Sequence, residues 1–356
     1  MGDLHIMGFN ELNPDDHFFD SLKEDYPEFS QWFNKKSVNN EKATVYFDNG
    51  VLKDFLYLKI ETDGLLNKDG FYPELPPRKR LKIGTFKIES RGTKRGDRFI
   101  KRIMDIGVAN NVDEIYVTIF PKHANLIKIF NNYGFIESAH KIHHNRSEEK
   151  VLIRDMRSHK DDILLDYPFV HTNNKNKYIL SIYPEYHSKL FPDSILNNES
   201  KYDLIKDLSA TNSIHKLYVC FMKKVQTINP GDIVIIYRTT DIPGKAFYRS
   251  VVTSICVIED ILTKDNFRNG NNFVEEVSRY SVFTRDELLS WYNRKTDLYV
   301  IKMTYNVALT KRLTRGYLID QLGMQEDAYW GLMKITDKQF MEIYKYGKAN
   351  EDYFID

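Results

Sequence analysis

The sequence has few cysteines, no long apolar run and almost no net charge. Its two cysteines, Cys220 and Cys256, lie in apolar strand-like runs, which predicts buried thiols in a reducing compartment rather than a disulfide or a metal site. No apolar run approaches ~18 residues and the first residues show no signal-peptide pattern, so we expect a cytoplasmic chain without a membrane span. The net charge is +1. The chain is therefore not a polycation, and any affinity for nucleic acid must come from a local patch.

The chain is long and rich in aromatic residues. At 356 residues the chain accommodates two domains of ordinary size. Its 23 Tyr and 22 Phe favour sheet-rich domains with well-filled cores. We predict an α+β fold with one domain over 1–160 and another over 178–356. The polar stretch 161–177 is predicted to be the linker between them.

The stretch 81–135 organises the first half of the chain. Alternation from Leu81 to Lys87 predicts a strand, and apolar residues at helical spacing from Phe99 to Ile106 predict a helix. A turn with glycines and basic residues separates the two. A second strand (EIYVTIFP) and a second helix ending in Tyr-Gly-Phe follow. Because a glycine-rich turn into a helix leaves backbone N–H groups unpaired, it is a ready site for phosphate or pyrophosphate.

Basic residues crowd this window and are expected to raise the local concentration of anions. Between 78 and 102 only Glu89 and Asp97 oppose them. The basic residues are Arg78, Lys79, Arg80, Lys82, Lys87, Arg91, Lys94, Arg95, Arg98, Lys101 and Arg102. The alternative is a solvated helix face after an ordinary strand-to-helix turn, since glycine-rich turns often occur without a ligand.

The order of strand, Arg-Gly-x-x-x-Gly turn, helix, strand and short helix resembles the GNAT family of acetyl-CoA-dependent N-acetyltransferases. The resemblance covers residues 4–156 and implies a mixed β-sheet flanked by helices, with acetyl-CoA as co-substrate. In that family the turn reads Arg/Gln-x-x-Gly-x-Gly or Ala, and its amides hold the pyrophosphate of CoA. Here the turn runs from Arg91 to Gly96, and Lys94 replaces the middle glycine. That replacement fits the pattern if the φ of Lys94 stays negative.

The resemblance also implies which residues bind the cofactor and which assist catalysis. The cofactor-binding residues would be Ile88, Arg91, Gly92, Thr93, Lys94, Arg95, Gly96, Asp97, Asn125 and Phe130. Glu89 is the carboxylate nearest the end of the central strand. It would act as the catalytic base, or it is only a structural partner of Arg91. The family's usual Tyr acid is replaced by Phe130, which leaves Tyr133 and Tyr116 as candidates. Two further hypotheses are departure of the thiolate through water and a domain that binds CoA without turnover.

A group of histidines follows the second helix, at His140, His143 and His144. A metal site would need Cys or carboxylate partners at ligand spacing, and the sequence offers none. We therefore expect exposed histidines in a hairpin. An earlier hairpin is predicted at Asn49-Gly50, between two apolar runs.

The second half reads as short strands around two or three helices, which predicts a small, partly open β-barrel. The runs Ser181–Tyr186 and Pro230–Tyr237, with the closing YWGLMKITDKQF, resemble the PUA-like superfamily, which includes ASCH and EVE domains. The ASCH signature Gly-x-Lys-x-x-Glu-x-Arg is missing, so an amidohydrolase activity is not transferred. The resemblance implies that this half binds RNA, for example tRNA, or a modified base.

Residues that suit nucleic acid are present in this half. The basic candidates are Lys223, Lys224, Arg238, Lys245, Arg249, Lys311, Arg312 and Arg315, and the stacking candidates are Tyr183, Tyr186, Tyr237 and Trp330. The alternative is that these aromatic residues fill the barrel and the basic ones solvate its rim. The sequence thus leaves two alternative hypotheses for the function. One is an N-acetyltransferase whose second domain recruits an RNA-linked or protein amine. The other is a nucleic-acid-binding regulator with CoA as ligand only.

Overall fold

The structure is a computed structural model that describes residues 4–62, 70–89, 94–143, 147–191 and 212–356. The chain divides into two compact units, the first ending at His159 and the second beginning at Lys160. Both units mix strands with helices, as the α+β prediction requires.

The first unit is built on an eight-stranded mixed sheet. Its strands are β1 (Leu4–Gly8), β2 (Lys42–Asp48), β3 (Val51–Glu61), β4 (Phe71–Tyr72), β5 (Arg80–Ile88), β6 (Glu114–Ile119), β7 (Ile136–Ile142) and β8 (Glu148–Asp155). Their spatial order is β1-β2-β3-β5-β6-β8-β7-β4. β5 and β6 at the centre are parallel, which requires the helical crossover between them. The predicted hairpin is confirmed at Asn49 and Gly50, whose φ values are +49° and +79°.

Helices cover both faces of this sheet. They are α1 (Asp20–Asp25), α2 (Phe29–Val38), α3 (Arg95–Ala109) and α4 (Ala124–Asn132), with 3-10 turns at Phe9–Glu11 and His17–Phe19. The amphipathic spacing of α3 buries Phe99, Ile100, Ile103 and Met104, none of them more than 1% exposed. A second cluster around Phe9, with Phe19, Phe33 and Phe55, packs α2 and β1–β3 edge to face.

The second unit contains a six-stranded sheet. Its strands are β10 (Lys177–Ile182), β11 (His215–Cys220), β12 (Ile233–Arg238), β13 (Val251–Thr263), β14 (Tyr299–Thr314) and β15 (Leu332–Ile335). The order is β11-β14-β13-β12-β10-β15. In the described part of the chain β11 and β15 are therefore edge strands, and the sheet is not closed into a barrel. The helices are α5 (Pro184–Leu190), α6 (Ala246–Arg249), α7 (Gly270–Ser278), α8 (Arg285–Tyr292), α9 (Arg315–Asp320) and α10 (Asp337–Tyr346).

The stretch 161–177 is folded within the second unit, so its interpretation as a linker is wrong. Val170–His171 (β9) pairs in parallel with Phe354–Ile355 (β16) near the end of the chain. Tyr167 is 0% exposed, and its hydroxyl donates to the Tyr305 carbonyl oxygen at 2.9 Å. The polar residues that suggested a linker instead complete turns. Both carboxylate oxygens of Asp166, for example, accept from the Lys160 N–H at 2.8 and 2.9 Å.

Two predictions from composition are also tested by the structure. Cys220 and Cys256 are buried free thiols, as expected. Within the ranges that the structure describes, no helix combines the length and the apolar character that a membrane crossing needs. No group of three or more potential metal ligands is found among the same residues.

Candidate active site

The two central strands of the first unit separate after four residue pairs. The parallel register joins Arg80–Ile83 to Glu114–Val117. β5 then continues to Ile88 and β6 to Ile119. Beyond Ile83 the two strands therefore diverge, and the β5 edge that faces β6 over 84–88 has no strand partner in the described chain. We call this opening the strand fork. Its backbone N–H and C=O groups are available to a ligand.

Gly84 lies where the fork begins. The pairing of β5 with β3 shifts between Ile83 and Thr85, so Gly84 is the extra residue of a β-bulge. A Cβ built on Gly84 would lie 2.5 Å from Cδ1 of Tyr57, a buried ring of β3. Only glycine allows this close approach, and the bulge bends β5 away from β6 at this point.

One face of the fork is covered by α3 and α4. Phe86 of β5 packs against Phe99 of α3 at 5.8 Å and against Phe130 of α4 at 5.7 Å, measured between ring centroids. Phe130 is 0% exposed and also contacts Phe135. Phe130 is thus part of an aromatic core below the fork, and its side chain has no proton to donate.

The segment His17–Tyr26, which includes α1, crosses the fork on the opposite face. Because successive strand residues point to opposite faces, Lys87 is directed away from Phe86. Its Nζ donates to Ser21 Oγ at 2.8 Å and to the Phe18 carbonyl oxygen. This segment therefore starts at the β5 arm of the fork.

The same segment reaches the β6 arm at its other end. Asp25 pairs with Lys122 and, at 3.1 Å, with Nε2 of His123 in the loop after β6. The ring of Tyr26 lies 5.3 Å from the ring of Phe120. The fork is therefore walled by α1 on one side and by α3 and α4 on the other.

The N-terminus of α3 lies beside the β5 arm of the fork. A Cβ built on Gly96 would be 3.8 Å from Cδ1 of Ile88 and 4.0 Å from Cδ1 of Ile129 in α4. Gly96 thus brings together β5, α3 and α4. Asn125 is exposed in the first turn of α4, and Asp97 lies in the first turn of α3.

Lys94 precedes α3 in the left-handed conformation, with φ +56° and ψ +19°. The condition under which Lys94 would fit the turn of the acetyltransferases, a negative φ, is therefore not met. Lys94 instead adopts the backbone conformation that a glycine would supply, at a cost of about 1–2 kcal/mol for a residue with a Cβ. The neighbouring Arg91, Gly92 and Thr93, also expected to bind the cofactor, lie outside the described residues.

The side chain of Arg95 is buried in the protein interior. Its Nε lies 2.7 Å from Oδ2 of Asp54, and the two side chains are 5% and 0% exposed. The guanidinium also stacks on Tyr46 at 4.1 Å. The Arg95 side chain therefore anchors α3 to the sheet, and only its backbone is left to contact a cofactor.

Several other basic residues that the structure describes in the window 78–102 are also paired with carboxylates, so part of the positive charge expected to attract anions is neutralised locally. The pairs are Arg78 with Glu114 and Asp155, Arg80 with Glu114, Lys82 with Glu61, Lys87 with Glu89, and Lys101 with Asp105. Lys94, Arg98 and Arg102 are not buried, and they follow one another at four-residue spacing along α3. These three residues form a shorter basic stripe, which attracts anions to this end of the helix.

The three expected catalytic residues are dispersed. Glu89 follows β5 and lies 3.8 Å from Nζ of Lys53 and 3.4 Å from Nζ of Lys87. Tyr116 is 0% exposed, lies in the paired part of β6, and donates its hydroxyl to Glu61 at 2.6 Å. Tyr133 is 4% exposed at the C-terminal end of α4. Of the three, only Glu89 lies at the open end of a fork strand.

Sequence reasoning missed a polar group at the β6 arm. Glu149 of β8 is 1% exposed and accepts from the hydroxyl of Tyr26, while Nε2 of His143 lies 2.9 Å from its other oxygen. The His143 ring lies 5.9 Å from Phe120. Burial and the nearby Glu149 raise the pKa of Tyr26. The available signal was a carboxylate on the apolar face of a strand, since Glu149 alternates with the buried Val151 and Ile153.

The histidines of this hairpin differ from the expectation of simple exposure. The side chain of His143 is 19% exposed and that of His140 is 41% exposed. His140 pairs with Glu148 at 2.6 Å. His144 lies outside the described residues.

In the second unit, several residues expected at a nucleic-acid surface are interior. Tyr237 and Trp330 are 2% and 8% exposed and pack on each other at 5.3 Å. Arg238 is 2% exposed. Arg249 makes a two-point contact with Asp241, at 2.6 Å for both nitrogens. The interpretation of Tyr237 and Trp330 as stacking platforms is wrong, because both rings fill the core.

His187 is a buried titratable group of this unit whose protonation links the stability of the unit to pH. It is 0% exposed, and its Nε2 lies 2.8 Å from Oγ1 of Thr253. Burial, and then the charges of Arg238 and Arg312, lower the pKa of His187 to about 3. In the unfolded chain the pKa of histidine is about 6.5.

We expect the stability of the second unit to fall as the pH drops from 6.5 towards 3. Over this range His187 is protonated in the unfolded chain and neutral in the folded chain. The free energy of unfolding therefore decreases by up to about 1.4 kcal/mol for each pH unit. Urea unfolding at several pH values, monitored through the hydrogen exchange of peptides from β13, measures how steeply the free energy of unfolding depends on pH. His187→Gln should flatten this dependence. An unchanged slope in His187→Gln would show that other groups cause the pH dependence.

Comparison with known proteins gives the following results. No protein-family model matches the sequence, and no curated protein matches it. Solved structures with partial likeness include the ASCH protein from Zymomonas mobilis (TM-score 0.32, 9% identity, covering 48% of this chain and 94% of that one). Another is an N-acetyltransferase from Staphylococcus aureus Mu50 (TM-score 0.33, 12% identity, covering 44% and 98%). A third is a protein described as an acetyltransferase from Salmonella typhimurium, solved with its cofactor acetyl-CoA (TM-score 0.31, 10% identity, covering 44% and 95%).

Each of these likenesses covers about half of the chain. All three TM-scores are below 0.5. The assignment of function therefore rests on the strand fork and the side chains around it.

Proposed function

We propose that the first unit is an acetyl-CoA-dependent N-acetyltransferase. The observation that carries this proposal is the strand fork with the N-terminus of α3 beside its β5 arm. A fork between parallel strands exposes backbone groups along a narrow opening. The helix N-terminus next to it offers N–H groups and the positive end of the helix dipole to a phosphate. A ligand with an extended amide-containing arm and a pyrophosphate at one end matches both features.

The residues at the helix N-terminus fit the pyrophosphate of CoA. Gly96 has no side chain of its own in the first turn of α3, and a Cβ built on it would lie 3.8 and 4.0 Å from its nearest neighbours. Lys94, Arg98 and Arg102 supply positive charge along the adjoining helix face. From the sequence we also assign Arg91, Gly92 and Thr93, which lie outside the described residues, to the proposed phosphate site, together with Ile88, Asp97 and Asn125.

The reaction would take place between the arms of the fork. The acceptor amine loses a proton, its nitrogen attacks the thioester carbonyl, the carbon–sulfur bond breaks, and the CoA thiolate takes up a proton. A backbone N–H on the open edge of β5 would stabilise the oxyanion that forms. Holding the two substrates in this orientation supplies much of the rate enhancement.

The acid that protonates the thiolate is not a tyrosine at position 130. Phe130 is buried in the aromatic core, and the hydroxyl of Tyr116 is held by Glu61. Tyr133 remains the tyrosine candidate on α4, with water as the alternative proton source. Glu89 remains a candidate base on the β5 arm, where Lys53 and Lys87 flank it.

The test is to incubate the full chain with acetyl-CoA and a panel of amines, and to follow release of the CoA thiol. The panel should include polyamines, amino acids, N-terminal peptides and aminoacyl-tRNA. Amine-dependent thiol release with an acetylated product supports the proposal. Binding of acetyl-CoA without any transfer would identify the first unit as a CoA-binding module, and no binding would overturn the proposal.

A second candidate function is binding of single-stranded RNA by the second unit. The observation that favours it is a group of tyrosines at the surface next to a lysine. Tyr183 and Tyr329 are 61% and 56% exposed, and Nζ of Lys224 lies 5.5 Å from the Tyr329 ring. Burial, together with the neighbouring Cys220, Tyr183, Tyr186 and Tyr329, raises the pKa of Tyr218, which indicates that these tyrosines are close together.

Exposed rings of this kind stack bases at about 1–3 kcal/mol each. Titration of a fluorescent RNA oligonucleotide at low and moderate salt tests the candidate, because phosphate contacts make affinity fall with salt. Tyr183→Ala should weaken binding at both salt concentrations. Tyr248→Ala is the matched control, since Tyr248 is 74% exposed and packs on Phe247 instead. Equal loss in both variants, or no binding at low salt, would contradict this function.

A further inference from the structure

The polar group around Glu149 lies beside the open end of the fork. β6 and β8 remain paired to Ile119 and Lys150, and Phe120 follows directly. Tyr26 and His143 both pack against the Phe120 ring, at 5.3 and 5.9 Å. Glu149, Val151 and Ile153 alternate along β8, and the last two share a cluster with Tyr116. The group thus lies on the sheet face that α1 covers, next to the β6 arm.

The carboxylate of Glu149 is held from two sides. It is 1% exposed, one oxygen accepts from the Tyr26 hydroxyl, and the other lies 2.9 Å from Nε2 of His143. A buried carboxylate in this position orients the imidazole and favours the tautomer with its proton on Nε2.

That tautomer leaves the lone pair of Nδ1 on His143 for another molecule. Among the residues that the structure describes, Nδ1 has no hydrogen-bond partner, and the side chain is 19% exposed. In the part of the chain that the structure describes, His143 is therefore fixed through Nε2, and its Nδ1 is left for a ligand. An imidazole backed by a carboxylate is the arrangement that proton-accepting sites use.

We infer that His143 is the general base that takes the proton from the acceptor amine, and that Glu149 and Tyr26 position it. This inference rests on the proposed transferase function. The ammonium group of the acceptor transfers one proton to Nδ1, the free amine attacks the thioester, and the imidazolium returns its proton to bulk water. Tyr26 keeps its hydroxyl proton throughout.

The charged and titratable groups near His143 come from each element packed around it. From α1 and the loop after it they are Asp25, Tyr26 and Glu28; from the loop after β6 they are Lys122 and His123; from the described part of the β7–β8 hairpin they are His140, Lys141, Glu148, Glu149 and Lys150. Asp25 is paired with Lys122 and His123, and His140 with Glu148. Glu149 is thus the carboxylate that acts directly on His143.

The experiment compares the pH dependence of amine acetylation in the full chain and its variants. His143→Gln retains a donor for Glu149 and cannot serve as base. We expect kcat to fall by roughly 10²- to 10⁴-fold, with the Kd of acetyl-CoA unchanged and the acid limb of the pH–rate profile lost. Adding imidazole to His143→Ala should restore part of the rate, which a merely structural role of His143 would not allow. Tyr26→Phe and Glu149→Gln should change the pH profile more than the affinity for acetyl-CoA.

His140→Gln is the matched control, because His140 lies in the same hairpin, pairs with Glu148 and is 41% exposed. It should retain the rate of the wild type. If the wild type acetylates amines and His143→Gln keeps its rate and pH profile, the inference is overturned and the transferase function stands; a loss of rate in Glu89→Gln instead would assign the base to Glu89. If the wild type binds acetyl-CoA and transfers to no amine, the transferase function is overturned and the inference with it.

Discussion

Gly96→Val should abolish the stabilisation of the first unit by acetyl-CoA. At a ligand concentration of about 100 times Kd, the wild type should gain ~2.7 kcal/mol in free energy of unfolding. A valine side chain at this position would occupy the space over the first turn of α3 that the pyrophosphate needs. A Cβ there meets only ordinary contacts at 3.8 and 4.0 Å, and the unfolding of the ligand-free variant measures whether the two methyl groups of valine are also accommodated. Calorimetry of the full chain with and without acetyl-CoA measures both effects.

Gly96→Ala provides the control for this experiment. The resemblance to acetyltransferases allows Gly or Ala at the last position of the turn, so the alanine variant should keep most of the ligand-induced shift. Lys94→Gly separates charge from shape. It relieves a left-handed lysine, which stabilises the free protein by about 1–2 kcal/mol, and it removes one positive charge from the phosphate site. If Gly96→Val binds acetyl-CoA as tightly as the wild type, the pyrophosphate does not lie at this turn.

Asp54→Asn should be the most destabilising single change described in the first unit. It leaves the guanidinium of Arg95 buried without its carboxylate, and breaking one side of a buried ion pair costs about 3–5 kcal/mol. For a unit of this size the midpoint of thermal unfolding should fall by roughly 10 °C. Calorimetry measures the shift, and the transition of the second unit serves as an internal reference.

The control is an ion pair at the surface of the same sheet. Nζ of Lys150 lies 2.6 Å from Glu137, and the two side chains are 32% and 37% exposed. Glu137→Gln should cost less than about 1 kcal/mol. Replacing both buried partners, with Asp54→Leu and Arg95→Met together, should recover part of the stability. A loss below about 1 kcal/mol in Asp54→Asn would mean that Arg95 finds another anion or reaches water.

The elements of the first unit were predictable because their signals are local. Alternation from Leu81 to Lys87 and helical spacing from Phe99 onward correspond to β5 and α3. The hairpin at Asn49-Gly50 was equally local, and the structure confirms it. Each depends on residues within one turn or one strand.

The site depends on registers and contacts between distant segments, which one sequence does not specify. The fork exists because pairing between Ile83 and Val117 is not continued. The ion pair of Arg95 with Asp54 joins α3 to β3, which are distant in sequence. Because this partner could not be foreseen, a basic side chain next to a glycine-rich turn was interpreted as a phosphate ligand. The left-handed Lys94 was unexpected for the same reason, since tertiary contacts can hold a residue in a conformation that its own preference disfavours.

Composition misled the interpretation in the second unit. The polar stretch 161–177 looked like a linker, yet Tyr167 in its middle is fully buried. Tyr237 and Trp330 looked like stacking surfaces, and they pack on each other inside the fold. Burial of an aromatic ring is set by the whole sheet, whereas its sequence neighbours report only whether the local chain is polar.

The pairing of β9 with β16 has a consequence for how the second unit is handled as a module. The Thr172 N–H donates to the Ile355 carbonyl oxygen at 2.8 Å, one residue before the end of the chain. The first and last segments of this unit therefore lie side by side. Such a unit suits circular permutation with a short joining peptide, and it can be inserted into a surface loop of another protein without stretching its host.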